Sequence, residues 1–150
     1  MRWIGRMLLL LVLMAPLTGM AASAKIVKVL PHLLDLKGRH ALSPSLYERD
    51  AYQAFLRGNP DKCSALRFDV KWKAQFVSSS ALKLRIEIRG SQEPKPFVVE
   101  QPIEPKPWYN RWTYLNLDVE SYKKAGEIIA WRATLWDGDK LLAEQKSFLW

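Results

Sequence analysis

From Leu66 to Phe76 the chain alternates without a break. Leu66, Phe68, Val70, Trp72, Ala74 and Phe76 fall on one side, and Arg67, Asp69, Lys71, Lys73 and Gln75 on the other. A period of two with one apolar side predicts a strand of an antiparallel sheet, one face buried and one wet. Val77-Ser78-Ser79-Ser80 turns the chain, and Leu82, Leu84, Ile86 and Ile88 repeat the pattern against Lys83, Arg85, Glu87 and Arg89. Upstream, Ile26 to Leu36 is apolar around Pro31, which predicts an edge strand broken at the proline and ended by Gly38. Phe97 to Ile103, carrying Pro102, is expected at another edge. A further strand runs to Val119, with Thr113, Leu115 and Leu117 on one side. The clearest element is the last: Glu127 to Trp150 is two β-type runs around Asp137-Gly138-Asp139, a hairpin. A three-residue tip would pair Leu135 with Leu141 and Ala133 with Ala143, and set Arg132 opposite Glu144 and Trp136 beside Lys140. Trp131 would then face inward with Ile129 and Leu135, within reach of Trp72.

The period changes between the first two strands. Ser45-x-x-Glu48 is a capping-box pattern, and Tyr47, Ala51 and Phe55 then recur every four residues with Tyr52 and Leu56 beside them. This predicts a helix over about 45–57, with Arg49, Asp50, Gln53 and Arg57 on its polar side and Gly58 and Pro60 stopping it. It is expected to plug one end of a sandwich or to cover an edge strand. Ser121 to Gly126 is expected as a turn, with Tyr122 tucked beneath it.

Seven short strands separated by turn signals imply a mainly β chain, a single immunoglobulin-like antiparallel β-sandwich with one short helix between the first and second strands. Phe68-Asp69-Val70-Lys71-Trp72 resembles the tryptophan-bearing second strand of fibronectin type III domains. Trp131 to Asp139 resembles their sixth strand and the turn after it, and Tyr122 stands near their corner tyrosine. The resemblance covers 64–150. It implies a fold and carries over no functional residue.

The first residues change the picture of where this domain works. Arg2 and Arg6 precede an apolar run from Met7 to Leu17, and Ala22-Ser23-Ala24 is an A-x-A cleavage pattern, so 1–24 reads as an export signal and 25–150 as the domain. The run is interrupted by Pro16, Thr18 and Gly19, too short for a membrane span. Export by such a leader implies a bacterial chain, periplasmic or secreted, with no stable membrane span after cleavage. The formal net charge is +8, and +6 once Arg2 and Arg6 leave with the leader. That suits an acidic partner, while no basic cluster of the nucleic-acid kind is present. Cys63 has no second cysteine to pair with, and its place at the start of an apolar strand favours burial.

Candidate chemistry is sparse. His32 and His40 lack metal-ligand spacing, and the sole cysteine is distant, so no metal or cofactor is expected. His40 could serve Ser43 or Ser45 as a base, but those serines are explained by helix capping and turns. No phosphate-binding glycine loop or HExxH occurs, which points away from an enzyme. An outer-membrane barrel is disfavoured by the nine prolines, the helix and too few strands. The best recognition candidate is Trp108-Tyr109-Asn110-Arg111-Trp112, where flat amphipathic rings alternate with hydrogen-bonding groups. The expected partner is an envelope protein or, alternatively, a glycan stacked on those rings. Lys71, Lys73, Lys83, Arg85 and Arg89 are outward-facing, interleaved with Asp69 and Glu87, and are expected to form a mixed, solvated surface.

Overall fold

A computed structural model describes residues 22–75, 77, 82–104 and 111–150. Within these residues lie seven strands and two α-helices: β1 (Ser23–Asp35), α1 (Leu46–Gly58), β2 (Cys63–Gln75), β3 (Leu82–Gly90), β4 (Phe97–Pro102), β5 (Arg111–Asp118), α2 (Val119–Ala125), β6 (Ile128–Asp137) and β7 (Lys140–Lys146). All pairings are antiparallel. The strands form a three-stranded sheet, β1-β2-β5, and a four-stranded sheet, β4-β3-β6-β7. The expected β-sandwich is therefore present. Residues 1–21 of the expected leader, Phe76 and the turn at 78–80 lie outside the described residues.

The core is the meeting of the two alternating faces. Leu66, Phe68, Val70, Trp72 and Ala74 of β2 are buried, as are Leu82, Leu84, Ile86 and Ile88 of β3. Trp72 is 1% exposed, and its indole Nε1 donates to Thr113 Oγ1 at 2.8 Å. A buried indole without a partner would destabilise the fold, so Thr113 makes this tryptophan tolerable at the centre.

β1 is an edge strand, as its proline predicts, yet it runs unbroken through Pro31. The reason lies in ladder parity. Leu33 directs its N–H and C=O away from β2, toward the side chain of Gln53. Pro31, two residues earlier, has the same parity, so its missing donor removes no bond to β2. Ser23 and Ala24, part of the expected cleavage motif, pair with Gln75 and Ala74.

The helix begins where expected, with Ser45 Oγ accepting from Glu48 N at 3.5 Å, but its buried side differs. Tyr47, Ala51 and Phe55 are exposed, Tyr47 by 84%, whereas Leu56 and Gln53 are buried. The four-residue spacing marks a face that α1 turns to solvent. Its inner face combines Leu56, set in the core with Tyr52 packed nearby, with the hydrogen bonds of Gln53. Gln53 Oε1 accepts from Leu33 N at 2.8 Å, and Nε2 donates to Leu33 O at 2.9 Å and His40 O at 2.8 Å. At Leu33, one amide thus takes the place of a neighbouring strand on the edge of β1.

Two further expectations are corrected. The stretch after β5 is a helix, α2, capped by Asp118, whose carboxylate accepts from Ser121 N and Oγ. Tyr122 is buried on it. The hairpin tip has two residues, because Asp137 pairs with Lys140 and Gly138 adopts φ +57° at the first loop position. Glycine accepts that left-handed conformation without steric cost, and it suits the strand twist of a two-residue loop. A register shift between Leu135 and Trp136 restores the phase, so Leu135 opposes Ala143 and Arg132 opposes Lys146. The pairing is displaced by two residues from expectation, which preserves parity: Ala133 and Leu135 still face the core. Ile129 does not. A second shift, between Arg89 and Gly90, turns it outward, and Trp131 meets Phe68 edge-on, at 6.5 Å between centroids, in place of Trp72.

Candidate functional site

The expected recognition stretch is split by the structure. Trp108, Tyr109 and Asn110 lie outside the described residues. Arg111 and Trp112 open β5; Arg111 donates to Glu104 O at 3.4 Å, and Trp112 is 41% exposed. Because Leu115 and Leu117 of β5 point into the core, Trp112, Tyr114 and Asn116 point outward. Tyr114 is 53% exposed. Its alternation with buried Leu115 is the signal in the sequence that marks it as outward-facing.

Pairing extends this face into a grid. Lys28, Lys71 and Trp112 share one row across β1, β2 and β5; Leu30, Asp69 and Tyr114 share the next; His32, Arg67 and Asn116 the third. Lys25 and Lys73 lie one step beyond. Lys71 Nζ stands 5.8 Å from the Trp112 centroid, and the Arg67 guanidinium 5.0 Å from Tyr114. Such contacts contribute roughly 0.5–1 kcal/mol each at exposed sites, enough to orient the rings and little enough to be displaced by a partner.

The two outer faces differ in electrostatics. On the four-stranded sheet, Lys83 and Arg85 pair with Glu100, Arg85 and Arg132 with Glu87, and Arg132 with Glu144. Arg89 and Arg132 also lie over the ring of Trp150. On the three-stranded sheet, Asp69 is taken up by Arg67 and His32, while Lys25, Lys28, Lys71 and Lys73 form no ion pair with a described carboxylate. The five outward cations named from sequence therefore belong to two opposite surfaces. On the four-stranded face three glutamates are shared among Lys83, Arg85 and Arg132, while Arg89 and Lys146 form no ion pair with a described carboxylate.

A polar cluster closes one end of the cationic face. The rings of His32 and His40 come within 4.9 Å, and Arg67 Nη2 is 3.4 Å from His40 Nδ1. Spacing along the chain did not suggest that these histidines meet; pairing of β1 with β2 and the return of the loop before α1 bring them together. Burial holds His32 below its ordinary pKa, against the pull of Asp69. With a guanidinium beside them, the two rings face a cation already in place, and among the described residues no three His, Cys, Asp or Glu side chains are arranged to hold a metal ion. Asp35 anchors the same loop. Burial would raise its pKa, but the N–H groups of Arg39 and Lys37, the Tyr52 hydroxyl and the Arg39 side chain hold it far below the usual carboxylate range. Ser43 Oγ accepts from Ser45 N, and Ser45 caps α1. Both serines thus have the structural roles expected of them.

Compared with known protein families, curated proteins and solved structures, the chain matches none.

Proposed function

We propose that this chain is a non-catalytic binding module of the bacterial cell envelope, an exported immunoglobulin-like β-sandwich that takes an acidic protein partner on the outer face of its three-stranded sheet. The observation that carries this reading is the coincidence, on one flat face, of exposed Trp112 and Tyr114 with four lysines that have no carboxylate partner among the described residues. Tryptophan, tyrosine and arginine are the residue types that dominate binding energy at protein interfaces, and open lysines favour an acidic surface. The immunoglobulin-like assignment is supported by the strand order. The constant-type arrangement places strands one, two, five and four in one sheet; here β4 has crossed to pair with β3. The leader pattern at 1–24 supports export to the periplasm or medium. A second reading, a carbohydrate-binding module, is favoured by the adjacent exposed rings of Trp112 and Tyr114, which suit stacking on sugar.

The test is a pull-down from envelope extract run beside a polysaccharide panel, with Trp112→Ala/Tyr114→Ala and Lys28→Glu/Lys71→Glu/Lys73→Glu variants. The protein reading expects a specific partner lost in both variants and no glycan retention. Glycan retention that is lost on removing the rings selects the second reading. Capture unaffected by either set of substitutions would overturn the assignment of this face.

A further inference from the structure

Behind the three-stranded sheet, on its core side, a cleft of about 670 Å³ opens where β1, α1, α2 and the start of β6 meet. That volume falls within the range of small-molecule sites, about 300–1,000 Å³. Leu33, Leu66, Ile128 and Trp131 give it an apolar wall. Tyr122 is part of the same lining and only 9% exposed, yet its hydroxyl has no hydrogen-bond partner among the described residues. The oxygen itself is reached by solvent, so it is a donor open to the cleft.

The charge at the mouth is also uneven. Lys123 is tied to Asp61 at 2.9 Å, whereas Arg57 forms no ion pair with a described carboxylate. Burial raises the Tyr122 phenol, Cys63 and Glu127 add to the rise, and Arg57 opposes it.

We propose that this cleft binds a small amphipathic carboxylate of the fatty-acid type. The alkyl chain lies against Leu33, Leu66, Ile128 and Trp131; the carboxylate accepts from the Tyr122 hydroxyl and pairs with Arg57. This site is separate from the lysine-bearing face and does not depend on its reading. A carboxylate offers the phenol and the guanidinium one shared acceptor, which a neutral apolar ligand does not.

The experiment titrates the purified protein with a fluorescent polyene fatty acid, then displaces it with oleate, below its micelle concentration, or with oleyl alcohol. The expected result is saturable binding at one site with oleate as the better competitor. Arg57→Gln, an exposed substitution, weakens oleate at least tenfold and leaves oleyl alcohol unchanged. Tyr122→Phe weakens oleate several-fold with the circular dichroism spectrum retained, and Ile128→Trp, which fills the cleft, removes both ligands. Absence of saturable binding overturns the proposal, as does binding that is equal in the wild type and the Arg57 and Tyr122 variants.

Discussion

Gln53 illustrates how much a single residue decides in this fold. Its amide satisfies both backbone groups of Leu33 and the carbonyl of His40. Gln53→Met keeps the bulk and removes the bonds, leaving buried groups unpaired, so unfolding in urea should show a loss of about 2–4 kcal/mol. His32 and Asp35 set the acid limits of stability. Both have folded pKa values below their unfolded ones, so each adds stability that is fully present above the unfolded pKa and is lost as pH falls through the folded value. The first loss begins below about pH 6.5, from His32, and the second lies below the ordinary carboxylate range, from Asp35. Urea midpoints measured between pH 7.5 and 5 should fall in the wild type and flatten in His32→Gln. Cys63 is 2% exposed, with its thiol donating to Leu56 O and its pKa raised by burial. A maleimide reagent should label it only after denaturation; prompt labelling of the native protein would contradict this burial.

At the scale of elements, the β pattern was legible because strands signal themselves by period. Among the described residues, the alternating segments Leu66 to Ala74 and Leu82 to Ile88 bury the apolar side that the pattern assigned. The helix was legible in position, from its capping residue and its glycine stop, but not in orientation. Tyr47, Ala51 and Phe55 look like a core face but are exposed; α1 docks through Leu56, with Tyr52 packed beside it, and through Gln53, whose partners, Leu33 and His40, are remote in sequence. The hairpin was legible in existence and parity and missed in register, because a bulge restores a phase that pairwise matching cannot foresee. Of the recognition stretch, Trp112 was chosen for its neighbours in sequence, whereas Lys28, Arg67 and Tyr114 join it only through pairing of three strands. A close approach between elements was equally hidden. A Cβ at Gly90 would stand 2.1 Å from Ala125 O, the last carbonyl of α2. Gly90→Ala must push the helix from the sheet and should destabilise by about 1–3 kcal/mol in thermal or urea unfolding.

For the whole molecule, the decisive asymmetry is between a face where three glutamates are interleaved with the cations and a face where four lysines have no carboxylate partner among the described residues. An acidic partner bound there should associate more slowly and more weakly as ionic strength rises, since exposed charges are screened beyond about 10 Å at 0.1 M salt. Replacing Lys28, Lys71 and Lys73 by glutamate should abolish capture while changing stability little, by about 0.5 kcal/mol per site or less. Circular dichroism melts run beside the binding assay separate the two effects.

The side-chain closure of β1 has a consequence for how this protein fails. An uncovered strand edge is a template for another chain, and here one amide stands in for the missing neighbour. At Leu33, protection of the strand edge and stability therefore rest on the same two hydrogen bonds. When they are lost, the sandwich keeps its other pairings, but β1 becomes free to add a strand from a second copy. Gln53 variants should accordingly scatter light at temperatures below their own melting transition, with assembly ahead of unfolding.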